Sequence, residues 1–251
     1  MDEGFHSLYN LDFAGAHAVF ISLEQLHPED PLAPAADAAG LLFSEFHRLG
    51  VLEGQFFATD KAFAARHKLN PDPTLRDHFN TALTLAESRA HARMLINSRN
   101  PDALFALTLS AGLRADYAAL IEKSNLSSLR YTKESTRWAD QLLAIQPDCY
   151  DAHVATGFSK YIIGSMAAPI RWLVRLGGVS GDKQEGIKEL QLTAEHGHYL
   201  APYARILLAI AYVRDNDKAR ARAILASLRD EFPGNPLFAT EIARLDSGRE
   251  H

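Results

Sequence analysis

Three separated stretches of this chain carry the same spacing of side chains. Ala16, Phe20, Leu23 and Pro28 stand at offsets of 0, 4, 7 and 12; Ser135, Ala139, Leu142 and Pro147 repeat the offsets, and so do Ala221, Leu225, Leu228 and Pro233. Offsets of 0, 4 and 7 place three side chains on one face of an α-helix. A small residue at the start of that face lets a neighbouring helix approach closely. The proline five residues after the last apolar position cannot continue the helix, so it forces a turn. A chain that repeats this unit is bound to stack helical pairs side by side.

The rest of the chain agrees. Period-two alternation is nearly absent, and alanine and leucine recur at helical spacing. Breakers fall at Pro28 to Pro34, Asn70 to Pro73, Asn100-Pro101, Gln146-Pro147-Asp148, Gly177 to Gly181, Asp215 to Asp217 and Pro233 to Pro236. Helices are therefore expected near 2–10, 13–27, 33–49, 74–99, 102–122, 126–146, 149–164, 183–196, 201–214, 218–231 and 236–246. Gly50 to Pro73 and Gly164 to Gly181 fit poorly and read as insertions. The expected fold is all-α: a single domain over 1–251, an α-solenoid of about five helical hairpins with insertions near 50–73 and 164–181 and a C-terminal capping helix.

The spacing resembles the second helix of the tetratricopeptide repeat (TPR), and the resemblance supplies a register for the first helix. Before Ala221 the matching positions hold Arg205, Leu208, Ala209 and Tyr212; Gly157 falls at the family's glycine position after Pro147. Before Ser135 an insertion around Glu122 to Ser128 interrupts the register. Before Ala16, Gly4 takes the glycine position and the residues upstream of it are missing, so a further N-terminal segment is expected ahead of Met1. The block from Pro169 to Leu190, with Gly181, Asp182, Gly186 and Leu190, is similar to one in a bacterial family of TPR proteins. More remotely, it is similar to eukaryotic TPR relatives of the outer mitochondrial membrane. Asp182 suits a helix N-cap, and Gly186 takes the small-residue place. The resemblance implies a binding scaffold and no catalytic residue.

Composition narrows the partner. The 26 basic and 31 acidic residues are interspersed and leave a net charge of −5, so no basic stripe can track a phosphate backbone and nucleic acid is not expected. The one cysteine, Cys149, permits no internal disulfide and leaves the compartment open. The longest apolar run, Ile206 to Val213, is too short to span a bilayer. No basic and apolar leader opens the chain, so a soluble protein, cytoplasmic or periplasmic, is expected.

Three features invite a chemical reading. Gly177 to Lys183 lacks the Gly-Lys-Ser/Thr ending and the preceding strand of a phosphate loop, and Asp182 would repel phosphate; Ser180 lacks the final glycine of a nucleophile elbow. The eleven histidines form no His-Glu-x-x-His, and the densest group, Glu195-His-Gly-His198, reads as a helix end. Cys149 has His153 four residues on, but nothing supplies an orienting third group. The expectation is a non-enzyme with no cofactor and no metal.

In a tetratricopeptide array the first helices of successive repeats line the concave face. That register offers Phe105 and Leu109, then Asp151, Val154, Phe158 and Tyr161, then Tyr203, Ile206, Ile210, Val213 and Arg214 as binding candidates. Two readings stay open: neighbouring helices bury these positions, or they form a groove for an apolar helix, an extended segment or a lipid-like molecule. Met166 to Leu176, with Arg171, Trp172 and Arg175, reads as an amphipathic helix packed in the core or lying at a membrane interface. The function read from the sequence is a scaffold for an unidentified protein or peptide. The alternatives are a carrier of an apolar small molecule or an interface-associated protein, and a subunit self-associating through an N-terminal edge left open.

Overall fold

The computed structural model describes residues 1–53, 68–166 and 180–247, and every regular element among them is helical. In chain order these are α1 (Asp2–Tyr9), α2 (Phe13–Leu26), α3 (Leu32–Arg48), α4 (Pro73–Ile96), α5 (Pro101–Leu120), α6 (Asn125–Leu143), α7 (His153–Ser165), α8 (Lys183–His196), α9 (Ala201–Arg214), α10 (Lys218–Glu231) and α11 (Pro236–Asp246). A single 3-10 turn, Tyr150–Ala152, precedes α7.

Aspartate and asparagine start most of them. The side chains of Asp12, Asp72, Asn100, Asp217 and Asn235 accept from the backbone amides of Gly15, Leu75, Ala103, Arg220 and Leu237 at 2.9–3.0 Å. Each occupies a helix donor that has no partner within the helix. Asp182 caps α8 as expected, accepting from Gln184 at 2.9 Å and Glu185 at 3.0 Å; those amides hold its carboxyl below the usual range. Pro73, Pro101 and Pro236 open α4, α5 and α11, where the missing amide is harmless.

Each helix packs on the next, giving the hairpins α1–α2, α3–α4, α5–α6, α7–α8 and α9–α10, with α11 against α10. Consecutive hairpins meet through α2 on α3, α3 on α5, α4 on α5, α6 on α7 and α8 on α9. The repeated spacing lies inside these contacts. Ala16, Phe20, Ala139, Leu142, Ala221, Leu225 and Leu228 are buried, Leu23 is half-buried, and Pro28, Pro147 and Pro233 stand in the turns that follow. Ser135, the polar variant of the small position, donates to the Thr108 carbonyl of α5 at 2.8 Å. Gly4 leaves room for Phe20: a Cβ there would lie 2.3 Å from the ring. Tyr212 is buried, and its hydroxyl accepts from Gln191 Nε2 at 3.1 Å.

The tightest approach of backbone to backbone is in the fourth hairpin. A Cβ on Gly186 would lie 2.4 Å from the Tyr161 nitrogen, and one on Gly157 would lie 3.0 Å from the Gly186 carbonyl oxygen. Backbone therefore meets backbone where α7 crosses α8, and only glycine permits it.

The structure departs from expectation in places. Around Glu122 to Ser128, where the repeat register is interrupted, α5 ends at Leu120 and α6 begins at Asn125, within two residues of the expected bounds, and 121–124 connect them. Residues 150–152 form the 3-10 turn, so Cys149 lies outside α7 and shares no helix face with His153. Most of the two insertions and the segment Met166 to Leu176, apart from Met166 itself, lie outside the described residues.

The array also closes on itself. The Tyr9 hydroxyl donates to the Tyr199 carbonyl at 2.8 Å, Asn235 Nδ2 donates to the Tyr9 carbonyl at 3.0 Å, and the Gly234 amide donates to Asn10 Oδ1 at 2.9 Å. Phe5 stacks on Tyr199 with centroids 4.9 Å apart, and Tyr9 packs on Phe232 at 5.3 Å. The apolar side of α1, Phe5 and Leu8, is thus buried rather than left open at an edge.

Candidate binding face

The candidate residues of the first helices differ in what already covers them. Phe105 is 8% exposed and Tyr161 is 2% exposed, so both are covered. Asp151, at 6%, faces backbone rather than a ligand: Oδ1 accepts from His198 at 2.9 Å and Leu200 at 3.1 Å, and Oδ2 from Tyr199 at 2.9 Å. Three amides saturate this carboxylate, and in return it satisfies donors that the turn after α8 leaves without helical partners. Its place among binding residues is therefore corrected: Asp151 fixes the turn that presents Tyr199 to Phe5 and Phe105.

Leu109, Phe158, Tyr203, Ile206 and Ile210 are half-buried. Tyr203 already touches two other hairpins. Its ring meets Phe43 of α3 edge-on at 5.7 Å, and its hydroxyl lies 3.5 Å from Asp116 Oδ2 of α5. Val154 is buried in the cluster that holds Tyr161, and Val213 packs against it. Arg214 closes α9 half-buried, its charge near Tyr161. Leu109, Phe158, Ile206 and Ile210 are thus what this face leaves accessible.

Asp116, Phe43, Tyr9 and Tyr199 are the residues sequence reasoning missed. Asp116 stands seven residues after Leu109, two turns along the same stripe of α5. That spacing was the available signal. Burial pushes its carboxyl up to about 7 and the Tyr203 hydroxyl well above its ordinary value.

Of the residues weighed for chemistry, Gly177 to Val179 lie outside the described residues. Burial pushes the Cys149 thiol up to about 11, away from the thiolate a nucleophile needs, and lowers the His153 imidazole. Among the described residues no group of three or more His, Cys, Asp or Glu side chains is placed to hold a metal ion, and no helix is long and apolar enough to cross a membrane. An open cleft of about 570 Å³ beside α8 is lined by Glu185, Lys188, Glu189 and Glu195 with His153, on a different stripe of α8 from Gly186 and Leu190.

No family model matches the sequence, and no curated protein matches it. Among solved structures, the chain is similar to the crystal structure of TTC0263, a thermophilic TPR protein of Thermus thermophilus. The identity is 14% and the TM-score 0.46, over 94% of this chain and 91% of that one. A likeness at that level leaves the fold to be read from the helix packing itself.

Proposed function

We propose that this chain is a non-catalytic scaffold that holds a short apolar segment of a partner protein along Leu109, Phe158, Ile206 and Ile210. One observation carries the reading: these aliphatic and aromatic side chains from three hairpins stay half-buried on the interior stripe after Phe105, Tyr161 and Asp151 have been covered or saturated. Apolar side chains converging from separate rigid helices gain by excluding water from a partner, and an array of stacked hairpins supports them without loop movement.

Peptides selected from a random library on the wild-type chain test this. Ile210→Glu introduces a charge at a half-buried position without emptying the core, whereas Leu95→Glu alters a side chain that is 90% exposed on α4. Binding by fluorescence anisotropy is expected to be lost with the first and kept with the second. Equal binding by both variants refutes the interior stripe as the contact. The stripe also suits an acyl chain, and a lipid released on denaturing the purified chain would replace the peptide with a carried small molecule.

A further inference from the structure

We propose that Asp116 receives a lysine or arginine of the partner segment, so the inner face selects an apolar sequence interrupted by one basic residue. The inference rests on the scaffold reading above and names the chemistry of its partner.

The other sheltered carboxylates are each well supplied. Glu45 is held by Arg48 at 2.7 Å and accepts the Asp72 amide at 2.7 Å. Asp37 meets His17 Nδ1 at 2.5 Å, and Asp151 takes three amides. Among the described residues Asp116 has neither a cation nor a backbone amide. Its partner there is the Tyr203 hydroxyl, at the long distance of 3.5 Å. A half-buried carboxylate with one weak donor keeps acceptor capacity for a charged group.

Its surroundings fit a cation rather than a second neutral donor. The Tyr203 ring stands beside it, and Phe43 meets that ring edge-on. Aromatic faces attract ammonium and guanidinium groups, and they do so most where water is thin. Leu109, two helical turns before Asp116, lies on the stripe where the apolar part of the segment would rest. A lysine or arginine projecting from an apolar peptide would complete a pair that the chain itself leaves half-made.

The same library selection provides the test, with Asp116→Asn added as a near-isosteric change that removes a poorly paired, half-buried charge and so preserves the fold, checked by circular dichroism. The recovered peptides are expected to carry a lysine or arginine between apolar residues. Their affinity should fall at least about tenfold on Asp116→Asn and on replacing the basic residue with glutamine, with little further loss when both are combined. Peptides that bind Asp116→Asn within about twofold of wild type but lose affinity for Ile210→Glu would overturn the pairing and leave the scaffold reading standing. Recovered sequences without a basic residue overturn it as well. Peptides indifferent to both variants, or no peptide retained on the wild-type chain, would overturn the scaffold reading and the inference together.

Discussion

Replacing Gly186 with alanine tests the helix crossing on which the stack depends. The added Cβ would sit 2.4 Å from the Tyr161 nitrogen, 2.6 Å from the Gly157 carbonyl oxygen and 2.8 Å from the Tyr161 Cα. All three are backbone atoms, so no side chain can rotate aside and α8 must withdraw from α7. Overpacking of this kind costs about 1–3 kcal/mol, and a backbone contact belongs at the upper end. Alanine returns roughly 1 kcal/mol through its better helix propensity. The net loss is then about 2 kcal/mol, which lowers Tm by about 4–8 °C in a chain of this size. Gly40 is the control. It also lies inside a helix, α3, yet a Cβ there would meet nothing within 4 Å. Gly40→Ala should therefore stabilise by about 0.5–1 kcal/mol. Thermal denaturation followed by circular dichroism reads both. If Gly186→Ala melts at or above the wild-type temperature, the glycine-on-glycine crossing is not what sets the fourth hairpin, and the reasoning fails.

Two further perturbations address the interior. Asp151→Asn turns one acceptor into a donor facing an amide, leaving at least one of His198, Tyr199 and Leu200 unsatisfied; a loss of about 1–3 kcal/mol is expected, with faster hydrogen exchange in the 198–200 turn and in α1. Unchanged exchange in α1 would mean that the turn does not hold the array closed. For Asp116, burial raises the carboxyl from an ordinary 3.8 to about 7 in the folded chain, so its ionisation opposes folding progressively between those values and no further above them. Asp116→Asn should therefore match wild type near pH 4 and exceed it above pH 7 by on the order of a few kcal/mol, read from urea midpoints; parallel pH profiles for the two chains would refute the assignment.

Much of the fold is local and was legible in the residues. Helix starts follow from Asp, Asn and Pro at fixed positions, and helix ends from the prolines that close each repeated unit. The register groups Tyr203, Ile206 and Ile210 on one stripe of α9, because side chains three and four residues apart share a helix face whatever surrounds it. Cys149 was misplaced by one helix start, since a 3-10 turn and an α-turn look alike in composition. Asp116 passed unnoticed because a single aspartate in a helix carries no motif; its meaning comes from Tyr203, 87 residues away.

The sequence by itself determined the helices, their pairing into hairpins and the small residues that let them nest, all of which depend on neighbours within one repeat. Only the tertiary structure decided how far the array curves. Small rotations between successive hairpins add up until α1 meets residues 190 to 226 positions further on. No periodicity encodes that sum, because it depends on the packing angle at every crossing together. That curvature sets Phe5 on Tyr199 and Tyr9 on Phe232, whereas Tyr161 and Asp151 are covered by the adjoining α8, α9 and the turn between them.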